Sequence, residues 1–369
     1  MTISRIPRVR DMTQRTRRVR VTTDGGSIHD MLLVLWLAFD PNEDHEGFDM
    51  GHEWFQQVAA STPADLRAEI EQLGGVECGA WCAVRGIVAR APGEHDVDSV
   101  LTWLETVDPA EIRRGLFGYM CESPAQAHLA EKAATGDQEA FEELFGEKPE
   151  VRPYYEWLVE VDQSQLRTRL VDTLRRFRDE VYSVLEKEFS GPTTHAASAV
   201  AALAKGADPE RVIERVTNGL DYRIPAEVNE IVLIPSVVVR PWAVIDRFED
   251  LLTVVFPVEE EYLNADPDAP PPWVVRIYKA LGDEKRLRIM NRLAAGPATL
   301  DELSDLLDLT KSTVHHHVGL LRGAGLARVV IDPATGNKTY SLRPTVLPGA
   351  HEGLEKYLGI IPTEPHEAS

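Results

Sequence analysis

Hydrophobic side chains recur every three or four residues along most of the chain, the pattern of helices that bury one face. The run MLLVLWLAF, residues 31–39, is apolar over nine positions, whereas a membrane-spanning helix needs about 20. We therefore predict a buried core helix there and no membrane partner. In the long helix predicted over residues 164–189, the buried face consists of Leu166, Leu170, Leu174, Phe177, Val181, Val184 and Leu185.

Two later segments are rich in β-branched residues and predict strands. They are EIVLIPSVVVRP, residues 230–241, and LLTVVFPV, residues 251–258. The pattern is compatible with a hairpin or with part of a small sheet. Residues 18–23, RVRVTT, are a candidate pairing partner for them.

Residues 258–272 interrupt these patterns with acidic residues followed by Pro267 and Pro270–Pro272. Proline does not continue a helix or a central strand, and consecutive prolines favour an extended spacer. We therefore predict a linker at 258–272. The predicted domains around it are a basic segment (1–20), a mostly helical domain (21–257), a C-terminal module (273–347), and a C-terminal helix with a tail (348–369).

Capping signals divide the C-terminal module into four helices and two strands. Gly282 and Gly296-Pro297 end the first two helices, Thr299 has the capping-box spacing that begins the third, and Thr310 caps the fourth. Two alternating segments then flank the turn-rich DPATGNK, and the whole order is that of a winged helix-turn-helix. The predicted fold class is therefore α+β, mainly α. The predicted inward residues include Leu287, Met290, Leu293, Leu300, Leu303, Leu306 and Leu307.

The geometry of this motif predicts the DNA-contacting residues. The major groove accepts one α-helix, whose first residues point at base edges. The fourth helix begins with small or polar side chains, and the wing, the turn between the two strands, carries polar and basic ones that reach phosphates or a minor groove. The predicted DNA-binding residues are Thr310, Lys311, Ser312, Thr313, His315 and His316 on the helix, with Arg328, Asn337 and Lys338 at the wing.

Three consecutive histidines, His315 to His317, raise the question of a metal site. Successive helical residues are rotated by about 100°, so three neighbours cannot turn their rings toward one ion. We predict that His315 and His316 extend the surface that faces DNA, whereas His317 packs against the preceding helix. No metal site is predicted in this motif.

The charge is distributed unevenly, which changes the interpretation of the net −21. Residues 273–347 carry a net +4 and residues 1–20 a net +6, whereas residues 21–272 carry −28. A basic module joined to a very acidic body favours DNA as a partner of the module. The arginine-rich start is either a DNA-contacting arm or an extension that precedes a start at Met12.

Residues 279–343 resemble the ArsR/SmtB family of bacterial transcriptional regulators. The resemblance lies in ALGDEKRLRIMNRLAAGPATLDELSDLLDLTKSTVHHHVGLLRGAGLARVV, above all in ALGD, RLRI, STV, HH, LLR and AGL. It implies a homodimer whose recognition helices, around residues 311–316, enter successive major grooves. It also implies dimer contacts from the helix at 273–281 and from GAHEGLEKYLG near the C-terminus.

One departure from the family concerns metal sensing. Its metal sensors place cysteines in the helix before the recognition helix, where this chain has Thr299, Leu300 and Asp301. No cysteine occurs in residues 273–369, so release from DNA by a soft metal ion is not expected.

The acidic body contains no nucleotide-binding glycine motif, HExxH or GxSxG. Its three cysteines, Cys78, Cys82 and Cys121, suit a reducing compartment, and for Cys78 and Cys82 inert packing is favoured over a redox pair or half a metal site. A dense acidic and histidine patch is interpreted as solvated rather than as a cation site. It comprises Asp40, Glu43, Asp44, His45, Glu46, Asp49, His52 and Glu53.

Two classes of function follow from these observations. In the first, the chain is a cytoplasmic, dimeric DNA-binding repressor whose N-terminal domain senses a small molecule or a partner. In the second, the N-terminal domain is an enzyme and the C-terminal module regulates its own gene. Because the sequence has no clustered catalytic signature, we favour the first class and expect no enzyme activity, no cofactor and no bound metal.

Overall fold

The computed structural model describes residues 19–43, 45, 47–118, 121, 124–263, 269–331, 337–344 and 346–360. The predicted basic segment 1–20 lies almost wholly outside these residues, as does the tip of the wing. Within the described ranges, no helix is both long and apolar enough to cross a membrane. The predicted fold class, α+β and mainly α, is confirmed.

Twelve helices precede the C-terminal module in the part of the chain that the structure describes. They are α1 (Ser27–Leu37), α2 (His52–Ser61), α3 (Ala64–Gly74), α4 (Ala80–Val88), α5 (Val97–Leu104), α6 (Pro109–Gly118), α7 (Pro124–Ala134), α8 (Gln138–Phe145), α9 (Arg152–Glu160), α10 (Gln163–Phe177), α11 (Ser183–Ala204) and α12 (Pro209–Val216).

The predicted core helix is α1, which is buried at almost every position because it packs against α4, α11 and a sheet. One of its buried residues is an acid, Asp30, whose carboxylate accepts hydrogen bonds from the Ser236 hydroxyl at 2.5 Å and the Val237 N–H at 3.3 Å. Burial raises the pKa of Asp30 to about 6. Asp30 therefore links the otherwise apolar run of α1 to the sheet by hydrogen bonds.

The helix predicted over residues 164–189 is interrupted by a π-helical turn, Arg178–Tyr182, between α10 and α11. Leu166, Leu170 and Leu174 are buried as predicted. The π turn adds a residue and rotates the following helix. Tyr182 is consequently buried, whereas Val184, predicted to face inward, is 64% exposed.

The N-terminal region contains the strands β1 (Arg20–Thr23), β2 (Leu220–Tyr222), β3 (Glu230–Ser236), β4 (Val244–Phe248) and β5 (Leu251–Pro257). Four of them form a sheet in the order β1-β3-β5-β4. Strands β1, β3 and β5 are parallel, and β4 is antiparallel to β5. The strand predicted at 251–258 is confirmed, and that predicted at 230–241 is confirmed up to Ser236, after which residues 237–241 form a turn. The hairpin alternative is wrong because β3 and β5 pair in parallel and β4 lies at the edge of the sheet.

The C-terminal module has its own hydrophobic core. Of its predicted inward residues, Leu287 and Leu306 are 47% and 39% exposed, and Ile289 is buried instead. Its elements are α13 (Pro272–Leu281), α14 (Glu284–Ala294), β6 (Ala298–Thr299), α15 (Leu300–Leu307), α16 (Lys311–Gly323), β7 (Ala327–Ile331), β8 (Lys338–Leu342) and α17 (Val346–Leu358).

The sheet of this module has the order β2-β7-β8-β6, so it includes a strand from before the predicted linker. Strand β2 pairs in parallel with β7, from Leu220 opposite Val329 to Tyr222 opposite Ile331. The predicted domain boundaries stay a prediction. The hydrogen-bonded sheet nevertheless joins the two regions of the chain.

Candidate nucleic-acid interface

The recognition helix α16 begins where two capping signals lie close together. Helix α15 ends at Asp308, which adopts the left-handed conformation with φ 54°, and Thr310 then caps α16. The Thr310 hydroxyl accepts a hydrogen bond from the Thr313 N–H at 3.3 Å. These caps define a short turn between α15 and α16 and fix the start of α16.

The inward face of α16 is buried against α14, α15 and the sheet. Val314, Val318 and Leu321 are at most 1% exposed. His317 is 8% exposed, and burial lowers its pKa. His317 is therefore buried and the other two histidines are exposed, as predicted, but the charged groups near His317, Asp283 and Arg286, lie at the start of α14 rather than on the preceding helix α15.

The outward edge of α16 begins with a cluster of three hydroxyls. The Thr310 hydroxyl lies 3.0 Å from that of Ser312 and 2.8 Å from that of Thr313. Lys311 is exposed next to them and forms an ion pair with Asp301 at 2.7 Å. Hydroxyls and a lysine at a helix N-terminus are suited to phosphate oxygens and base edges.

His315 and His316 continue this edge and are exposed. The pKa of His315 is lowered by partial burial and by the positive charges of Lys338 and Arg322. Lys338 lies at the base of the wing, so its positive charge acts on His315 of the recognition helix. Asn337 and Lys338 are both exposed, and the charge interaction of Lys338 with His315 places the base of the wing beside the outward edge of α16.

Arg328 occupies a different environment from the other predicted residues. Its guanidinium lies 3.1 Å from the Glu214 carboxylate of α12 and donates to the Ser341 hydroxyl at 3.1 Å. It is thus engaged with the N-terminal region beside the β2–β7 pair.

The C-terminal half of α16 contacts the N-terminal region through Trp242. The indole lies against Gly323, where an added Cβ would be 3.1 Å from the ring, and the Arg322 guanidinium lies 5.7 Å from the ring centroid. A pocket of about 300 Å³ lies beside this contact, and His315, His316, Trp242 and Phe48 are among the residues that line it. This contact was not predicted from the sequence, although Gly319 and Gly323, four residues apart on one face of α16, indicate a close approach.

An ion network beside this pocket connects α13 to the N-terminal region. The Asp49 carboxylate lies 3.1 Å from the Arg240 guanidinium and 2.6 Å from that of Arg276, and Glu260 contacts the same two arginines at 3.3 and 3.1 Å. Burial lowers the pKa of Arg240 and raises that of Glu260. The C-terminal module is therefore attached to the N-terminal region at several points.

The acidic and histidine patch around Asp49 is occupied by internal contacts. The buried His45 ring lies 2.7 Å from the Leu37 carbonyl oxygen and stacks on Phe55 at 4.1 Å. Asp44 and Glu46 lie outside the described residues. Among the described residues of this patch, no three ligand atoms converge as a metal site would require.

The cysteines are free thiols, and Cys78 and Cys82 are buried. The Cys78 thiol donates to the Phe39 carbonyl oxygen at 3.3 Å, and burial raises its pKa to about 12. These observations favour the predicted packing role for Cys78.

A cavity of about 1400 Å³ lies in the N-terminal region, between the end of β1, the start of α1, residues 89–96 and α11. Asp24 and His95 lie on its wall. Burial opposes the ionisation of Asp24, but His29 and His95 outweigh it and lower the pKa of the carboxyl well below its ordinary value. The hydrogen bond with Asp24 raises the pKa of His95. This cluster was not predicted from the sequence, because His95 lies 71 positions after Asp24.

Comparison with known proteins supports this description of the module. A family described as a helix-turn-helix domain matches residues 281–330, from the end of α13 into β7. The HTH-type transcriptional regulator Rv2034 of Mycobacterium tuberculosis is 35% identical over 83 residues, which make up 22% of this chain and 75% of that protein.

Proposed function

Because this chain belongs to the HTH-type transcriptional regulators, we propose that it is a homodimeric repressor of the ArsR/SmtB type whose N-terminal region controls DNA binding. The observation that carries this proposal is the two-sided environment of α16. Its polar residues Lys311, Ser312, His315 and His316 are exposed, and its C-terminal half contacts Trp242 of the N-terminal region. One helix therefore faces both DNA and the regulatory region.

In this proposal, the hydroxyl cluster of Thr310, Ser312 and Thr313 contacts the groove floor or a phosphate. Lys311 exchanges its exposed ion pair with Asp301 for a phosphate, which costs little because exposed pairs contribute about 0–1 kcal/mol. Lys338 contacts the backbone beside the helix. The net −28 of residues 21–272 repels the duplex and orients the module toward it.

Exposed apolar side chains at the end of α17 and just after it support the homodimer. Leu358 is 56% exposed and Ile360 53%, and α17 packs on α13, whose Tyr278 is 40% exposed. Exposed apolar surface of this kind is typical of association sites. A twofold dimer places two α16 helices in successive major grooves, about 34–36 Å apart.

The N-terminal region offers both a ligand cavity and a route to α16. The cavity of about 1400 Å³ is large enough for a small effector, and the contacts at Trp242, the Asp49 network and the β2–β7 pair connect the region to the module. An effector that binds one arrangement of these contacts more tightly than another shifts DNA affinity by the same free energy.

Selection of DNA sequences by the full chain from a random library tests this function. We expect one enriched sequence with two half-sites 10–10.5 base pairs apart, or a multiple of that spacing. We also expect affinity for this site at least about 10³-fold above that for unrelated DNA at the same salt. Deleting the gene should raise transcription of genes beside the bound sites. Failure to enrich any sequence would contradict the proposal, and a fall in transcription would assign activation instead.

A second candidate, an N-terminal enzyme domain joined to an autoregulatory module, is favoured by one observation. Asp24 contacts His29 and His95 at the cavity wall, and a carboxylate that orients histidine recurs in acid–base catalysis. The wild-type chain and the Asp24→Asn variant can be incubated with a metabolite extract. Consumption of a compound by the wild type only would favour the enzyme, and unchanged extracts with both would favour the regulator.

A further inference from the structure

Asp24 and His29 lie five residues apart, and a segment distant in sequence brings His95 beside them. Strand β1 ends at Thr23, and Asp24 opens the turn into α1, which carries His29 in its first turn. His95 belongs to the segment before α5, and its carbonyl oxygen lies against Gly26. An added Cβ at Gly26 would be 2.2 Å from that oxygen, so only glycine permits this approach.

The donor atoms of these three residues lie close together. The Asp24 Oδ2 lies 2.5 Å from the His29 Nε2 and also contacts the His95 Nδ1. One ligand atom from each residue lies within 4.8 Å of the other two. The side chains are 12%, 1% and 10% exposed, so the cluster is buried at the edge of the cavity.

A hydrogen bond on the other ring nitrogen of His95 fixes which nitrogen faces Asp24. Its Nε2 lies 2.8 Å from the Ala91 carbonyl oxygen, which only accepts hydrogen bonds, so Nε2 carries a proton. In a neutral imidazole, Nδ1 then presents a lone pair, and it faces the Asp24 carboxylate. The Nδ1 lone pair and the Asp24 Oδ2 thus face each other, and a shared cation would be bound by both atoms.

We propose that Asp24, His29 and His95 form a binding site for a divalent first-row transition-metal ion, with Zn²⁺, Co²⁺ and Ni²⁺ as the class. Two imidazoles and one carboxylate are the donors that such borderline ions prefer. The site belongs to the N-terminal region and does not depend on the function proposed for α16.

Hydrogen bonds orient two of the three ligands, His95 and Asp24, whereas the second ring nitrogen of His29, Nδ1, is buried without a partner among the described residues. The Ala91 carbonyl holds the proton on His95 Nε2 and so turns Nδ1 toward the ion. The Gly26 N–H donates to Asp24 Oδ1 at 3.0 Å, which leaves Oδ2 for coordination. Three protein ligands leave coordination positions unfilled by the protein, and the adjoining cavity supplies room there for water or for an anionic small molecule.

Metal titration of the full chain tests the site directly. After chelator treatment and dialysis, the protein is titrated with Co²⁺ and Zn²⁺ at neutral pH, followed by visible absorption and calorimetry. We expect one ion per chain. The variants Asp24→Asn, His29→Gln and His95→Gln should each lower the affinity at least about tenfold, whereas His351→Gln, an exposed histidine on α17, should bind as the wild type does.

X-ray absorption of the Zn²⁺-loaded wild type provides a second readout that needs no variant. We expect two imidazoles and oxygen ligands without sulfur. Absence of stoichiometric binding would overturn the proposal and assign an imidazolium at His95. A sulfur ligand, or equal affinity in the three variants and the wild type, would also overturn it.

Discussion

The Arg322 guanidinium lies over the Trp242 ring, 5.7 Å from its centroid, and this contact joins the recognition helix to the N-terminal region. Trp242 also lies beside Gly319 and Gly323 and has an edge contact with Phe48. A change in the position of the indole therefore acts directly on α16. The side chains of α16 that face DNA lie on the first turns of the same helix.

Two matched glycine substitutions test how closely Trp242 fits α16. A Cβ at Gly319 would be 3.8 Å from the indole, an ordinary contact, whereas at Gly323 it would be 3.1 Å from Trp242 and 3.3 Å from Pro241. Gly319→Ala should raise the free energy of unfolding by up to about 1 kcal/mol, the gain of alanine over glycine in a helix. At Gly323→Ala the same gain is offset by overpacking against the indole, which costs about 1–3 kcal/mol, so this variant should not be stabilised. Chemical denaturation measures both variants, and equal stabilisation would contradict the close fit.

Light scattering tests the dimer. We expect twice the 41.1 kDa mass of the chain at micromolar concentration. Leu358→Glu, which places a charge on the exposed apolar end of α17, should shift the mass toward that of the monomer. Val184→Glu is the matched control, because Val184 is 64% exposed on α11 and lies outside the proposed interface. A monomeric wild type, or a dimer unaffected by Leu358→Glu, would count against α17 as the interface.

DNA binding should strengthen as the pH falls. Partial burial, Lys338 and Arg322 lower the pKa of His315 below its ordinary value in the free protein. DNA phosphates favour the imidazolium, so the pKa is higher in the complex and binding takes up a proton. Affinity should therefore rise as the pH falls from about 7.5 through about 6.5, the ordinary histidine value.

The histidine variants locate this pH effect. His315→Gln should bind DNA with a flatter pH profile than the wild type in anisotropy titrations. His128→Gln, an exposed histidine on α7, should keep the wild-type profile. Equal slopes in His315→Gln and the wild type would show that the proton binds elsewhere.

The C-terminal module was predictable because its signals are local. Thr299, Thr310 and Gly282 mark helix ends within a few residues, and the hydrophobic period between them identifies most of the buried face. The errors at Leu287 and Leu306 fall at edges of that face, where burial depends on neighbouring elements rather than on spacing.

The N-terminal region was less predictable because its structure depends on distant contacts. The parallel pairing of β3 with β5, and of β2 with β7, leaves no local signal comparable to a hairpin turn. The π turn at residues 178–182 shifts the helical period after it. Asp24, His29 and His95 meet only because β1 and the segment before α5 are adjacent in the fold.

The affinity of the full chain for its selected DNA site tests the central claim most directly. Lys311→Ala, Thr313→Ala and His315→Ala should each weaken binding by about 1–3 kcal/mol in anisotropy titrations, the range for one specific base contact. Their unfolding free energies should match that of the wild type within about 0.5 kcal/mol, as for other surface substitutions. Lys205→Ala, at an exposed lysine after α11, should bind as tightly as the wild type. Wild-type affinity in all three variants on α16 would contradict the assignment of this helix to DNA.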